Sequence, residues 1–234
     1  MTERLAIVPA RGGSKRIQNK NILDFCGAPM ITHILRAAHR SGLFSKIHVS
    51  TEDEKIRRVA TEFGFPPDFS RPDDLADDQT PIMPVLKYVT EEYSHRGAHF
   101  DEVWLLMACA PLIRCQHLIE ASLLFDRNEG REKVLSVAEF PVPIEWAFDQ
   151  DASGGLTPVN PGLFATRSQD LATRYYDAGA FAIYSLSEIL QAQPAGSDTG
   201  FVGYVLPKAS AVDIDTLEDW RLAEALFRSQ TATD

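Results

Sequence analysis

Short, unbroken apolar runs alternate with stretches of helical period along the first 139 residues, and few folds accommodate that alternation. Leu5–Val8 is continuous and apolar, the mark of a strand buried on both faces. Pro29–Arg40 predicts a helix. Pro29 suits a first-turn position, Ile31, Ile34, Leu35 and Ala38 share one face, and Gly42 supplies a stop. Lys46–Ser50 is the next strand. Asp53–Phe63 is a second helix, with Ile56, Val59, Ala60 and Phe63 inward and Gly64 at its end. Pro81–Tyr93 reads as a helix, Asp101–Met107 as a strand, Gln116–Arg127 as a helix and Val134–Glu139 as a strand. Strands and helices following one another at short intervals imply an α/β fold: a Rossmann-like, mainly parallel sheet with helices on both faces. Such sheets bind ligands beyond the carboxyl ends of their strands.

The middle of the chain departs from this pattern. Phe140–Thr166 holds Pro141, Pro143, Pro158, Pro161 and the pair Gly154-Gly155, and its hydrophobic period is poor. It reads as an excursion, an arm inserted over residues 140–176 within one domain spanning residues 1–234. Asp177–Tyr184 returns as a buried strand and Phe201–Leu206 adds another. Near the end, Val212 and Ile214 alternate with Asp213 and Asp215, and an amphipathic helix runs from about Leu217 to Phe227.

The loop directly after the first strand is the most informative, Pro9-Ala10-Arg11-Gly12-Gly13-Ser14-Lys15-Arg16. It lacks the Gly-x-Gly-x-x-Gly of a dinucleotide fold and the Gly-Lys-Ser/Thr of a Walker loop. Two readings remain. Gly12 and Gly13 let the backbone approach a phosphate without Cβ atoms in the way, with Arg11, Ser14 and Lys15 as charge-assisted partners. Alternatively the stretch is a surface turn with solvated cations. The acidic pair has two readings as well. On a strand, residues i and i+2 face one side, so Asp213 and Asp215 would project together as oxygen ligands of the kind Mg²⁺ takes. Alternatively Asp215 caps the helix after it and Asp213 is solvated.

Charge narrows the partners. With 33 acidic against 23 basic residues the net charge is -10, which argues against nucleic acid and anionic membranes as general partners. Three cysteines without regular spacing imply reduced thiols in a cytoplasmic protein. The apolar run behind the N-terminus is too short for a signal peptide, and no apolar stretch is long enough to span a bilayer. The six histidines share no constellation. Cys109 lies just past a strand with no activating partner nearby in sequence, so packing is its expected role.

The pattern Ala-Arg-x-x-Ser-Lys-x-x-x-x-Lys-Asn falls on Ala10, Arg11, Ser14, Lys15, Lys20 and Asn21. It resembles the signature loop of the acylneuraminate cytidylyltransferases. "VSTEDEKI" at residues 49–56, "RPDDLADDQT" at 71–80, "APLIR" at 110–114 and "DIDTLEDW" at 213–220 extend the likeness over about residues 4 to 228. "DFCG" at 24–27, "FPVPIEWA" at 140–147 and "RSQDL" at 167–171 are similar to the branch that uses pseudaminic acid. The match is loosest on the acceptor side. Small residues fill Met107–Pro111 where sialic acid enzymes carry Gln-Pro-Thr-Ser-Pro, and Tyr176 and Ala180 replace a histidine and a glutamine.

The resemblance implies transfer of CMP from CTP to the C2 hydroxyl of a nonulosonic acid, with Mg²⁺ as the ion. Pseudaminic acid is the expected acceptor; legionaminic, N-acetylneuraminic and deoxyoctulosonic acids are alternatives, and a nucleotide-binding protein without turnover is the reading from another class. It assigns catalysis to Arg11, Lys20, Asp213 and Asp215, the last two as metal ligands. Nucleotide binding falls to Ala10, Arg11, Gly12, Gly13, Ser14, Lys15, Asn21 and Arg71; for Arg71 the alternative is a salt bridge to Asp73 or Asp74. It further implies a homodimer in which the arm crosses to the partner, bringing Arg167, Ser168, Gln169 and Asp170 to an acceptor site.

Overall fold

The computed structural model describes residues 2–13, 16–77 and 79–231. The strands are β1 (Arg4–Pro9), β2 (Asp24–Phe25), β3 (Ala28–Pro29), β4 (Lys46–Ser50), β5 (Glu102–Leu106), β6 (Lys133–Glu139), β7 (Phe148–Gln150), β8 (Leu156–Pro158), β9 (Tyr175–Ser185) and β10 (Phe201–Val205). The helices are α1 (Met30–Ser41), α2 (Glu54–Glu62), α3 (Ile82–His95), α4 (Cys115–Arg127), α5 (Leu186–Gln191) and α6 (Leu217–Thr231). The main sheet has the order β10-β6-β9-β5-β1-β4. β1 runs parallel to β4 and β5, and β10 parallel to β6, while β9 is antiparallel to both of its neighbours.

The unbroken run in β1 is explained by what covers it. Leu5, Ala6, Ile7 and Val8 are each 0% exposed. Ala6 and Val8 face α1, α2 and α4, through Ile34, Leu35, Ile56 and Leu118. Leu5 and Ile7 face α3 and α5, through Leu86, Val89 and Ile189. Both faces are therefore dry, and neither can carry a polar residue at low cost.

Three differences from the sequence expectations have local causes. β9 runs against the sheet because the chain leaves β6 at Glu139 and re-enters beside it, Glu139 pairing with Tyr175. A return at the edge just left gives an antiparallel partner, whereas a parallel one needs a crossover. Helix α5 is an addition to the expected elements, although Ser185 caps it by accepting from the Glu188 amide, the first half of a Ser-x-x-Glu signal. The segment around Asp213 is not a strand: residues 211–215 form no ladder. After Leu206 donates its last sheet bond to Val137, Pro207 and a short turn over Lys208–Ser210 lead the chain off the edge.

A third, smaller core joins the parts that matter. Ile17 of the opening loop, Phe25, Met30, Leu112, Ile214 and the α6 residues Trp220 and Ala223 pack together. Ile214 is 0% exposed between exposed Asp213 and partly exposed Asp215, so one buried side chain anchors the acidic pair to the loop opposite. Ile214→Ala is expected to lower unfolding free energy by about 2–4 kcal/mol, the range for truncating a buried aliphatic, measured by urea denaturation. An effect below about 1 kcal/mol would show that the anchor lies elsewhere in this cluster.

Between β6 and β9, within the stretch expected to be an arm, β7 and β8 form a two-stranded ribbon separate from the main sheet. Val142, Leu156, Val159 and Phe164 in that stretch are exposed.

Candidate active site

The loop after β1 is fixed from both ends. Ala10, at 1% exposure, donates its amide to Ser50 O at 3.0 Å. The Gly12 amide donates to Glu52 Oε1 at 3.0 Å. A Cβ on Gly12 would run into the Asp53 carboxylate, and that carboxylate is committed to capping α2 through the amides of Lys55 and Ile56. Glycine is thus required by a close approach to a helix start. Gly13 is exposed. Ser14 and Lys15, expected to hold phosphate, lie outside the described residues.

Past the glycines the loop turns its cations toward the end of the chain. Lys20 Nζ donates to Ile214 O at 2.5 Å and sits 3.5 Å from Asp215 Oδ1. Arg16 Nη1 is 2.8 Å from Asp215 Oδ2. The expected juxtaposition of a cationic loop and an acidic pair is therefore present, 194 residues apart in sequence. Sequence reasoning gives Arg16 no role; its place at the end of the Gly-Gly-Ser-Lys run is the available signal. Asn21 Nδ2 donates to Arg11 O at 3.2 Å, and Arg11 Nη1 donates to Asp77 O at 3.3 Å.

The capping alternative for Asp215 is replaced by another pair. Thr216 Oγ1 accepts from the Asp219 amide, and Asp219 Oδ2 accepts from the amides of Asp215 and Thr216. With the helix start served by Thr216 and Asp219, both Asp213 and Asp215 remain available to line the cavity. Burial raises the pKa of Asp213, the Asp215 charge adds to it, and Lys20 and Arg16 oppose the shift.

Arg71 is buried behind this edge. Its Nε donates to Ser50 Oγ at 3.1 Å and its Nη2 to Ser50 O at 2.6 Å, with Nη1 4.0 Å from Glu52 Oε2. Its acidic partner is thus Glu52, not Asp73 or Asp74. Glu52 links Arg71 to the Gly12 amide, a connection that sequence spacing does not reveal.

Arg11, Arg16, Lys20, Asn21, Asp213 and Asp215 line a cavity of about 630 Å³ together with Pro9, Met107, Ala108 and Cys109; Ala10, Gly12 and Arg71 stand behind its wall. That volume is within the range of small-molecule sites. Burial raises the Cys109 thiol pKa, against a thiolate role. A second cavity of about 510 Å³ shares Met107 and includes Leu135, Asp177, Gly179, Ala180 and Asp198. A Cβ on Gly179 would lie 3.9 Å from Asp213 Cγ, so this space opens beside the acidic pair.

Arg167, Ser168, Gln169 and Asp170 are not brought to either cavity of their own chain. They are exposed on the arm, Arg167 Nε 2.8 Å from Asp170 Oδ2.

Comparison with known proteins finds relatives along the whole chain. A cytidylyltransferase family model matches residues 5–95. A pseudaminic acid cytidylyltransferase of Campylobacter jejuni is 34% identical over 226 residues, covering 97% of each chain. The CMP-N,N'-diacetyllegionaminic acid synthase of Legionella pneumophila is 30% identical, covering 95% of each. Among solved structures, a CMP:2-keto-3-deoxy-manno-octonic acid synthetase complexed with CTP superposes with a TM-score of 0.70 at 16% identity, over 98% of this chain and 100% of that one, which speaks for the fold. On the strength of a likeness at 34% identity that runs the full length of both chains, this chain belongs to the cytidylyltransferase family of nucleotidyl-transferring enzymes.

Proposed function

We propose that the protein transfers CMP from CTP to the C2 hydroxyl of a nonulosonic acid, pseudaminic acid first among them, with release of pyrophosphate. The observation that carries this reading is the pairing of Lys20 and Arg16 with Asp215 on the wall of a cavity of about 630 Å³. The names of the relatives supply the acceptor class.

In the reaction the C2 oxygen bonds to the α-phosphorus, the bond from that phosphorus to the bridging oxygen breaks, and pyrophosphate leaves with the electron pair. Charge accumulates on phosphoryl oxygens, so the protein's task is positioning and electrostatics. Arg11 and Lys20 hold the triphosphate and stabilise the charge of the leaving group; Asn21 contacts the nucleoside end, and Arg71, buried on Ser50 and Glu52, braces that edge from behind. The acceptor sits in the second cavity, where Asp177 and Asp198 can accept hydrogen bonds from hydroxyl or amide donors and Leu135 and Ala180 meet apolar substituents. The hydroxyl proton leaves toward the acidic pair, of which Asp215 is already committed to two cations.

The donor set fits Mg²⁺. Two hard carboxylates line one cavity and repel each other, a strain that a divalent cation relieves. Among the described residues no cluster of three or more metal-ligating side chains occurs, and Mg²⁺ is commonly held by one or two carboxylates with substrate phosphates completing the shell. Bound there, Mg²⁺ would neutralise phosphate charge; Asp213 and Asp215 would hold it.

Pyrophosphate release from CTP with a panel of purified acids tests the reading. Turnover highest with pseudaminic acid supports it. Turnover only with another acid moves the acceptor, and tight CTP binding without turnover on any acid overturns it.

The arm belongs to a homodimer in this proposal, reaching across to place residues 167–170 near the partner's acceptor cavity. A two-stranded ribbon is marginally stable alone in water, and exposed Leu156 and Phe164 want a covering surface. Phe164→Asp is expected to shift the protein to monomer in sedimentation, with loss of acceptor-dependent turnover. An unchanged dimer would move the interface elsewhere. Three free thiols fit a reducing compartment, and the cytoplasm is the proposed location. No helix among the described residues is long and apolar enough to cross a membrane.

A further inference from the structure

A cavity of about 350 Å³ lies along one face of α1, between the turn after β2, the turn before α4 and the end of α6. Three arginines line it: Arg36 and Arg40, one turn apart on α1, and Arg114 from the turn before α4. None of the described residues lining it is acidic, in a chain whose acidic residues outnumber its basic ones 33 to 23. Neither Arg36 nor Arg40 is paired with a carboxylate among the described residues; Arg36 instead lies over the Phe63 ring at 5.2 Å. Arg114 is braced from behind, its Nη2 donating to Gln230 O at 2.9 Å. His33 is a neutral wall: it contacts Phe25 O through Nε2 at 2.8 Å, and burial lowers its pKa.

Arg36 and Arg40 place like charges one turn apart on the wall of a concave surface, where they repel each other, and a bound anion removes that cost. Guanidinium forks match phosphate oxygens in pairs, and neither fork is already committed to a carboxylate of the described chain. The floor is apolar. Ala37, Leu112, Ile113 and Phe227 line it, so a bare inorganic ion would leave much of the space unused.

We propose that this cavity is a second binding site, distinct from the catalytic cavity, for a phosphate monoester carrying an apolar or flat organic body. The site is placed to influence catalysis. Leu112 is a member of the small core that contains Ile17 and Ile214, and Phe227 packs against it. A ligand resting on Leu112 and Phe227 therefore presses on the core that sets Lys20 against Asp215. The binding claim itself does not depend on which acceptor the enzyme uses.

The three free cysteines give a test that separates the two cavities. Cys26 and Cys115 line the arginine cavity, whereas Cys109 lines the catalytic one. The full chain is alkylated with iodoacetamide and the modification of each cysteine followed by mass spectrometry, with phenyl phosphate as probe. The probe is expected to slow alkylation of Cys26 and Cys115 with a non-hydrolysable CTP analogue present at saturation. Inorganic phosphate should require at least about tenfold higher concentration, since it makes no use of the apolar floor. The double variant Arg36→Gln with Arg40→Gln should lose protection by about tenfold or more in probe concentration and keep basal turnover within about twofold. Arg36→Lys with Arg40→Lys should retain part of it. Absence of protection at Cys26 and Cys115, equal protection by inorganic phosphate, or undiminished protection in the glutamine variant would each overturn the proposal.

Discussion

Lys20→Gln is expected to lower kcat for CMP transfer by about 10²–10³-fold, the cost of removing one preorganised charge from a phosphoryl transition state. The expectation rests on how firmly the side chain is placed. Only 15% of the Lys20 side chain is exposed, and its ammonium is fixed by Ile214 O and Asp215 before any substrate arrives. A charge held this way costs little reorganisation when negative charge grows on the leaving pyrophosphate. The loss should fall on kcat more than on KM for CTP, because the interaction strengthens in the transition state. Lys20→Arg keeps the charge but changes its reach and geometry, and should recover part of the rate. Single-turnover kinetics with CTP in excess would separate the two constants. A variant whose kcat stays within about twofold of the parent would remove Lys20 from the chemistry and leave it as a brace for the Ile214 carbonyl.

The sheet and its helices are legible in the sequence because burial on both faces forces a local signature. Leu5–Val8 must be wholly apolar, and helices α1 and α2 must show a 3.6-residue period, whatever the rest of the chain does. The direction of β9 is not legible, since period-2 or continuous apolarity says nothing of which way a strand runs. The ends of the site are readable in part. The glycines and the aspartates can each be singled out on chemical grounds, yet their meeting depends on Ile17 and Ile214 sharing a core, a contact between residues far apart in sequence. Arg16 and Glu52 escape sequence reasoning for the same cause. Their partners, Asp215 and Gly12, are set by the way the loops fold over the sheet edge and not by any spacing along the chain.

Asp213→Asn should abolish transfer, with a loss of about 10³-fold or more, while the folded protein becomes no less stable. Both halves follow from the surroundings of the carboxylate. No hydrogen bond from a described residue to its side chain is seen, and it lies close to a second acidic group that already holds Arg16 and Lys20. Burial and the neighbouring charge disfavour its ionised form. Neutralising it therefore removes a repulsion and leaves no partner stranded, so the melting temperature at neutral pH should hold or rise. Asp215→Asn differs in kind: it strands two cations beside each other and should lower the melting temperature as well as the rate. The proposed ion adds a readout that does not depend on turnover. Titration with Mn²⁺, followed by electron paramagnetic resonance with a non-hydrolysable CTP analogue bound, should show weakened binding in Asp213→Asn relative to the parent. Parent-like Mn²⁺ affinity together with parent-like transfer would mean that the pair of carboxylates is structural. The cationic loop would then be facing Asp215 for the sake of the fold alone.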